Sequence, residues 1–255
     1  MSRTIEERPS AETPLRIAHD GKRVTLTLDR PHRRNALDAA VVEALHDALD
    51  QIDQANIKML AIEGAGPSFC SGFDLSGLDA ETDGSLLLRF VRIELLLQRL
   101  YRAPYTTVAL AQGHAFGAGA DLFCACQHRF ATHDATFGFP GTGFGLALGA
   151  SRLAARVGTD AALALLRSAR PIDAAQAAAR GLASEIIATE ERTARLDRLG
   201  RDEVRIAPET LQLILAQTLP ADEQHDMAIL VRSAARPGLK LRIMNHADAR
   251  KDGQR

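Results

Sequence analysis

Neither sign of charge dominates this sequence, and aromatic residues are scarce. Its 255 residues carry 31 Lys and Arg against 32 Asp and Glu, and only 4% are aromatic. Nucleic-acid binding needs a basic surface, often with aromatic side chains that stack on bases, so nucleic acid is not an expected partner. Long apolar runs are also lacking: the run Leu95–Leu97 has charged neighbours on both sides and falls far below the roughly 20 residues that span a bilayer. We therefore expect no membrane-spanning segment.

Cysteine is rare as well. The three cysteines, Cys70, Cys124 and Cys126, make an odd number with no paired framework, which is typical of a reducing compartment and favours the cytoplasm. Cys124 and Cys126 lie in an apolar segment, so we expect buried thiols rather than a metal site. Residues 1–14 are charged and lack the apolar core of a secretory signal, so we expect a disordered tail.

Strand-like and helix-like patterns alternate along the first two thirds of the chain. Two strands are predicted around the turn Asp20–Lys22, and Asp38 is placed to cap the helix that follows. Further strands are predicted at Met59–Ile62, before Gly113 and at His128–Thr132, with helices between them. Repeated units of this kind are typical of an α/β layered fold with crossover connections.

From Thr159 onward the pattern is mostly helical, with Thr159, Asp173 and Thr189 as candidate helix caps. We therefore predict an α/β core over residues 15–190 and a helical C-terminal region over residues 191–255. Its later helices are apolar enough to need a partner surface, and self-association is the expected solution. The apolar residues concerned are Leu211, Leu213, Ile214, Leu215, Met227, Ile229, Leu230 and Val231.

The most informative segment is Gly113–Asp121, which follows an apolar strand and leads into an apolar helix. Glycines allow a backbone with positive φ and a close approach to a ligand. The first N–H groups of a helix have no intrahelical partner and favour negative charge. Asp121 lies three residues after Ala118, on the same face of the predicted helix. The segment therefore predicts an anion cradle beside a carboxylate.

A second glycine-rich segment, Gly64–Leu75, also follows a strand. In α/β folds, ligands favour the carboxyl edge of the sheet, where both segments would emerge. Two loops there could each donate one N–H to a single oxygen, which is the arrangement that stabilises an oxyanion. Cys70 and Ser71 lie in this segment without a visible base to activate either as a nucleophile.

Two nucleotide-binding motifs are not supported. Leu122 stands where the third glycine of a dinucleotide fingerprint would be, and no lysine follows as in a phosphate-binding loop. We therefore expect neither NAD nor ATP.

Five segments, taken in order, resemble the crotonase superfamily, also called the enoyl-CoA hydratase/isomerase family. They are Arg30-Pro31, Asn35–Leu37, Phe69–Leu75, Gly113–Asp121 and Phe137–Pro140. The resemblance implies a spiral of ββα units with a helical C-terminal region, and assembly as a homotrimer or a dimer of trimers. It also implies an acyl-CoA thioester as substrate, with no cofactor other than the coenzyme A that the substrate carries.

The resemblance assigns roles to individual residues. The N–H groups of Phe73 and Ala118 would form the oxyanion hole for the thioester oxygen, with Phe73 also near the adenine. The residues that would lie along coenzyme A are Arg33, Arg34, Ala36, Leu37 and Ser71. Arginine suits phosphate, although Arg33 and Arg34 also fit a solvated turn.

Three residues are candidates for the acyl pocket: His114, Phe139 and Gly141. His114 lies in the glycine turn and reaches either the pocket or the surface. The apolar, glycine-rich stretch around Phe139 and Gly141 either lines the acyl pocket or packs as a core loop.

The pattern departs from the family's hydratases at both acid positions. Those enzymes use two glutamates, and this chain aligns Asp121 with the first and Gly141 with the second. Asp121 keeps a carboxylate on a shorter side chain, whereas Gly141 supplies no proton donor, so two-glutamate hydration is not expected. A single carboxylate could still serve an isomerase, a hydrolase or a decarboxylase.

The sequence therefore favours a lyase or isomerase that stabilises an acyl-CoA enolate, with Asp121 as its single acid or base. A second hypothesis is a catalytically silent protein of the same fold that binds CoA thioesters or a protein partner.

Overall fold

The computed structural model describes residues 13–55, 57–202, 206–219 and 222–252. The tail predicted for residues 1–14 lies almost wholly outside these ranges. Within them, nine strands are defined: β1 (Leu15–Asp20), β2 (Arg23–Leu28), β3 (Met59–Gly64), β4 (Thr106–Ala111), β5 (His114–Phe116), β6 (His128–Ala131), β7 (Thr136–Gly138), β8 (Ile172–Asp173) and β9 (Glu185–Ile186).

Ten α-helices are defined in the same part of the chain. They are α1 (Ala39–Gln54), α2 (Asp83–Tyr101), α3 (Ala118–Ala125), α4 (Ala150–Val157), α5 (Thr159–Ser168), α6 (Ala174–Ala179), α7 (Arg192–Asp202), α8 (Pro208–Thr218), α9 (Glu223–Ala234) and α10 (Leu239–Asp252). Short 3₁₀ helices cover Pro31–Arg33, Leu78–Ala80, Pro140–Phe144 and Thr189–Glu191.

The larger sheet has six strands in the order β1-β2-β3-β4-β6-β9. The first two strands form an antiparallel hairpin through Gly21, which has φ of +59°. The remaining neighbours are parallel, as crossover connections require. Because parallel strands are covered on both faces, β4 is buried along its whole length. The predicted α/β class and helical C-terminal region are confirmed.

A second sheet of three short strands, in the order β5-β7-β8, was not predicted. Its strands have two or three residues each, which is too short for an alternating pattern to be visible. This sheet matters for the site because β5 leads directly into α3.

Local signals placed several helix ends correctly. The Asp38 side chain accepts a hydrogen bond from the Val41 N–H, and Asp173 caps α6 through the Gln176 N–H. Thr159 is not a cap, because Gly158 precedes it with φ of +82° and α5 begins at Thr159 itself. Thr189 likewise opens a 3₁₀ turn after Ala188 rather than capping it.

In the part of the chain that the structure covers, no helix combines the length and apolar character needed to cross a membrane.

Candidate active site

The glycine-rich segment after β4 forms the turn that the sequence predicts. Gly113 and Gly117 both have φ of +52°, a conformation that strains residues with a side chain. Helix α3 begins at Ala118, and the Asp121 N–H closes its first turn on the Gly117 carbonyl at 2.9 Å. Asp121 therefore lies one turn from the exposed N–H groups at the start of α3.

Backbone hydrogen bonds hold the two glycine-rich segments together. The Phe69 N–H donates to Gln112 O at 2.8 Å, and the Cys70 N–H donates to His114 O at 3.0 Å. In return, the Phe116 N–H donates to Cys70 O at 2.9 Å. Gly119 makes this approach possible, because a Cβ there would overlap the Cys70 carbonyl oxygen.

These contacts bring the loop at Gly72 and Phe73 against the start of α3, and both Phe73 and Ala118 line one pocket. A Cβ built on Gly72 would lie 3.2 Å from the Ala118 nitrogen. No acceptor in the described ranges takes a hydrogen bond from either N–H. Two donors without protein partners, on the wall of one pocket, are the arrangement that binds an oxyanion.

The segment around Leu37 fixes the position of Phe73. The Leu37 N–H donates to Gly72 O at 2.7 Å, and the Asp74 N–H donates to Leu37 O at 3.1 Å. The Asp74 carboxylate is held by the Arg30 guanidinium at 3.2 Å and the Ser76 N–H at 2.8 Å. Although burial raises the pKa of Asp74, these hydrogen bonds hold it below its ordinary value, so Asp74 anchors the loop as an ion.

A mostly apolar pocket of about 680 Å³, its open mouth included, lies in front of these donors. Asp121 and His246 are the titratable residues that line it within the described ranges. The other lining residues are Ser71, Phe73, Leu75, Phe90, Gly117, Ala118, Phe139, Pro140, Gly141, Phe144, Leu146, Leu148 and Leu166.

Asp121 is only 4% exposed, and burial raises its pKa to about 8. Arg152 opposes this shift, whereas the negative charge of Glu94 adds to it. Arg152 directs its terminal nitrogens to Glu94, at 2.9 and 2.5 Å, and no side chain in the described ranges donates a hydrogen bond to Asp121. The Asp121 carboxyl is therefore protonated at neutral pH and faces the pocket.

The residues expected along coenzyme A meet at the pocket mouth. The Ser71 N–H donates to Arg34 O at 3.0 Å, and Ser71 itself lines the pocket. The side chains of Arg33 and Arg34 are exposed, and neither forms an ion pair with a described residue. Ala36 and Leu37 are buried, so they support the Phe73 loop and are not open to a ligand through their side chains.

The structure places two of the three acyl-pocket candidates at the pocket. Phe139 and Gly141 line the pocket, whereas His114 is not among its lining residues. The His114 ring is exposed, pairs with the Thr136 hydroxyl at 3.1 Å and packs on Phe116. Since β5 side chains alternate, His114 points away from the neighbouring buried Ala115.

Sequence reasoning missed His246, which α10 brings to the pocket from the far end of the chain. Its ring packs edge-on against Phe144 at 5.5 Å. Gly143 leaves space for it, because a Cβ there would lie 2.6 Å from His246 Nδ1. No local pattern around His246 distinguishes it from a surface helix residue.

Cys124 and Cys126 are fully buried, as expected, and so is Cys70; burial raises the pKa of each thiol to about 12. Within the described ranges, no group of three or more His, Cys, Asp or Glu side chains is placed to hold a metal ion.

Comparison with known proteins identifies relatives of this chain in sequence and in fold. The sequence model described as enoyl-CoA hydratase/isomerase matches residues 22–230. A crystal structure of a Bordetella parapertussis protein of that type is 41% identical, with a TM-score of 0.90 over 92% of this chain and 99% of the other. A Thermobifida fusca hydratase-like protein, solved in complex with acetoacetyl-CoA, is 28% identical, with a TM-score of 0.73 over 88% and 93% of the two chains.

Two curated relatives carry different names. The "probable enoyl-CoA hydratase echA6" of Mycobacterium bovis is 35% identical over 64% of this chain and 66% of its own length. Ethylmalonyl-CoA decarboxylase of Danio rerio is 32% identical over 68% of this chain and 59% of its own length. The match thus spans less than two thirds of the length of these relatives.

Proposed function

Because the chain belongs to the enoyl-CoA hydratase/isomerase family, we propose that it stabilises the enolate of an acyl-CoA thioester. The N–H groups of Phe73 and Ala118 hold the thioester oxygen, and Asp121 is the single acid or base. The observation that carries this proposal is a buried carboxyl in the same pocket as two N–H donors that have no acceptor among the described residues. The coenzyme A portion of the substrate is the only coenzyme that this chemistry needs.

The position of Ser71 supports a route for coenzyme A. Arg33 and Arg34 carry exposed guanidinium groups beside the pocket mouth, where the substrate phosphates would leave the protein. Residues 36–37 lie between these arginines and the donor loop, so the pantetheine would pass along their backbone.

Asp121 acts as an acid in this proposal. A carboxyl whose pKa is raised to about 8 holds its proton at pH 7, so it is ready to protonate an enolate carbon. Hydration needs one group to activate water and another to deliver a proton, and Gly141 has no side chain where the family's hydratases carry their second glutamate, so Asp121 would have to serve as both. A reaction that consumes one proton and needs no base fits this pocket better than hydration.

Decarboxylation of a 2-carboxyacyl-CoA is such a reaction. The bond between the α-carbon and its carboxylate breaks, CO₂ leaves, and the electron pair forms the enolate held by the Phe73 and Ala118 N–H groups. Asp121 then donates its proton to the α-carbon, and solvent restores that proton. An apolar pocket favours loss of the carboxylate charge, and the relatives named ethylmalonyl-CoA decarboxylase, 30–34% identical, support this choice.

The test compares ethylmalonyl-CoA with crotonyl-CoA as substrates of the wild type and of Asp121→Asn. We expect CO₂ release from ethylmalonyl-CoA by the wild type, no hydration of crotonyl-CoA, and at least a hundredfold loss of turnover in Asp121→Asn. Asp160→Asn, which changes an exposed carboxylate in α5, is the control. Unchanged turnover in Asp121→Asn on any confirmed substrate would overturn the role of Asp121.

Because Gly141 provides no second acid, a catalytically silent protein of this fold that binds CoA thioesters is the alternative to be tested. Thermal-shift measurements with acetoacetyl-CoA and ethylmalonyl-CoA separate the two hypotheses. Stabilisation without product from any thioester supports a binding protein of this fold, whereas stabilisation with product supports an enzyme. An absence of stabilisation by every CoA thioester contradicts both.

Self-association is the remaining part of the proposal, as a homotrimer or a dimer of trimers. Its support is the exposure of large apolar side chains on α8 and α10: Leu213 is 68% exposed, Ile214 41% and Leu241 61%. Sedimentation velocity tests it, and a monomer at micromolar concentration would contradict it.

A further inference from the structure

A buried ion pair lies behind Asp121, and the chemistry proposed above does not use it. Glu94 of α2 and Arg152 of α4 are each 1% exposed. Arg152 donates to both Glu94 oxygens, at 2.9 and 2.5 Å, and Gln98 donates to Glu94 at 2.9 Å. Burying two full charges is costly unless both are well paired, so this pair calls for an explanation.

The backbone ties the pair to Asp121. Gly149, at the start of α4, lies against the Asp121 carboxyl so closely that a Cβ there would overlap it. Arg152 follows Gly149 by one turn of helix, so α4 presents to Asp121 both a glycine packed against its carboxyl and a cation whose charge lowers its pKa. Glu94 accepts from the two terminal nitrogens of Arg152, and Arg152 Nε has no acceptor in the described ranges.

This arrangement affects the ionisation of the Asp121 carboxyl. An arginine facing a buried carboxyl normally ionises it. Here Glu94 compensates the guanidinium charge, so Asp121 experiences a neutral pair and not a free cation. We propose that Glu94, acting through Arg152, keeps Asp121 in its protonated form and so sets the pH range in which the site can deliver a proton. Glu94 is thus a positioning residue, and the inference rests on the proposed function only where activity is the readout.

Other charged or titratable groups face this centre. Cys124 lies one turn along α3 from Asp121, and its thiol is neutral because burial raises its pKa to about 12. Asp226 of α9 stands 3.9 Å from Arg152 Nη1 and accepts a hydrogen bond from Ser151. His246 of α10 lines the same pocket. None of these groups contacts Arg152 as closely as Glu94, which accepts two hydrogen bonds from it. We therefore expect removal of the Glu94 charge to change the pKa of Asp121 most.

The direct test is the titration of the Asp121 carboxyl by ¹³C NMR of protein labelled at aspartate, assigned with Asp121→Asn. In the wild type we expect the midpoint near pH 8, in line with the pKa of about 8 that burial gives. Glu94→Gln leaves Arg152 uncompensated, so the midpoint should move down by at least about one pH unit. Arg152→Gln leaves Glu94 as the nearest charge, so the midpoint should move up.

Opposite shifts from the two variants are the signature, because a purely structural disturbance would not reverse its sign. The double variant Glu94→Gln/Arg152→Gln, which is neutral, should return toward the wild-type midpoint and covers the case in which Glu94→Gln folds poorly. Glu94→Asp keeps a carboxylate, so its Asp121 midpoint should lie between those of Glu94→Gln and the wild type. Glu43→Gln is the matched control, since it removes the carboxylate that Arg92 of α2 holds at the surface.

Activity gives a second readout. In Glu94→Gln, turnover relative to the wild type should fall at least about threefold at pH 7.5 and recover at pH 5.5, as expected for a midpoint that moves from about 8 to 7 or below. Unchanged titration of Asp121 in both single variants would overturn the inference. Titration that shifts as expected in a protein that turns over no thioester would refute the proposed function and leave this inference standing.

Discussion

Gly149 lies against the Asp121 carboxyl so closely that a Cβ at residue 149 would overlap Oδ1. Residue 149 also has φ of +68°, which favours glycine. We expect Gly149→Ala to push the carboxyl away from the pocket and to lower turnover by about a hundredfold, since a displacement of 1 Å can cost that much. Steady-state kinetics with a confirmed thioester measure the loss.

Gly77→Ala is the matched control for backbone strain. Gly77 has φ of +70° and ψ of +14°, close to the +68° and +4° of Gly149, and a Cβ there meets nothing within 4 Å. Both variants should carry a similar cost from backbone strain, but only Gly149→Ala adds the overlap with Asp121, so only Gly149→Ala should lose turnover. Equal kinetics in the two variants would show that the packing of Gly149 on Asp121 is not needed.

The features that sequence predicted correctly are short-range. The hairpin at Gly21, the cap at Asp38 and the neighbourhood of Ala118 and Asp121 each depend on residues within a few positions of one another. Such patterns predict the structure correctly because the turn, the cap and the first helical turn are each formed by neighbouring residues. The coarse α/β order of strands and helices follows from the same kind of information.

The features that sequence missed depend on distant contacts. Glu94 meets Arg152 across 58 positions, and His246 reaches the pocket only because α10 packs on the 140–144 turn. Neither residue has a local pattern that separates it from an exposed helical charge. His114 could be assigned to neither the pocket nor the surface from the turn alone, and the strand direction of β5 places it at the surface.

The charge state of Asp121 has a consequence for stability. Its folded-state pKa of about 8 is above the ordinary value of 3.8, so between these pH values the folded protein binds more protons than the unfolded chain. Stability therefore falls as pH rises from about 4 to 8, and levels off above that range.

We expect the unfolding free energy of Asp121→Asn not to show this fall between pH 4 and pH 8. Its unfolding free energy should equal or exceed that of the wild type by an amount that grows between pH 4 and pH 8 and reaches a few kcal/mol, about 1.4 for each unit of pKa difference. Urea denaturation at pH 4, 6, 8 and 9 measures the difference. A difference that stays constant across these pH values would mean that Asp121 does not titrate within this range.

A substitution at Gly119 tests the contact between the two glycine-rich segments that carry the Phe73 and Ala118 N–H groups. A Cβ at residue 119 would overlap the Cys70 carbonyl oxygen, which accepts the Phe116 N–H. Gly119→Ala should separate the segments and cost up to about 2.7–4 kcal/mol of transition-state stabilisation, the loss expected from one oxyanion donor. The control is Gly84→Ala in α2, where the nearest atom would be 3.8 Å away. A Gly119→Ala variant with wild-type kcat would exclude the paired donors from catalysis.

The last prediction concerns α10, which carries His246 to the pocket wall. The Asp83 carboxylate accepts the N–H groups of Lys240, Gly238 and Leu239 at 2.8, 2.9 and 3.1 Å, and so caps this helix from α2. These N–H groups, that of Lys240 most of all, hold the pKa of Asp83 below its ordinary value. The site is therefore coupled to a cap on the outside of the molecule.

Asp83→Ala should loosen α10, because it removes the acceptor of three N–H groups at the start of this helix. Hydrogen exchange of residues 239–249 should then accelerate, and KM for the thioester should rise severalfold with a smaller change in kcat, since the pocket wall is disturbed and Asp121 is not. The pH dependence of kcat should stay as in the wild type for the same reason. Asp160→Ala, which removes an exposed carboxylate from the first turn of α5, should change none of these quantities. Faster exchange in α10 with an unchanged KM would show that substrate does not contact the wall that His246 forms.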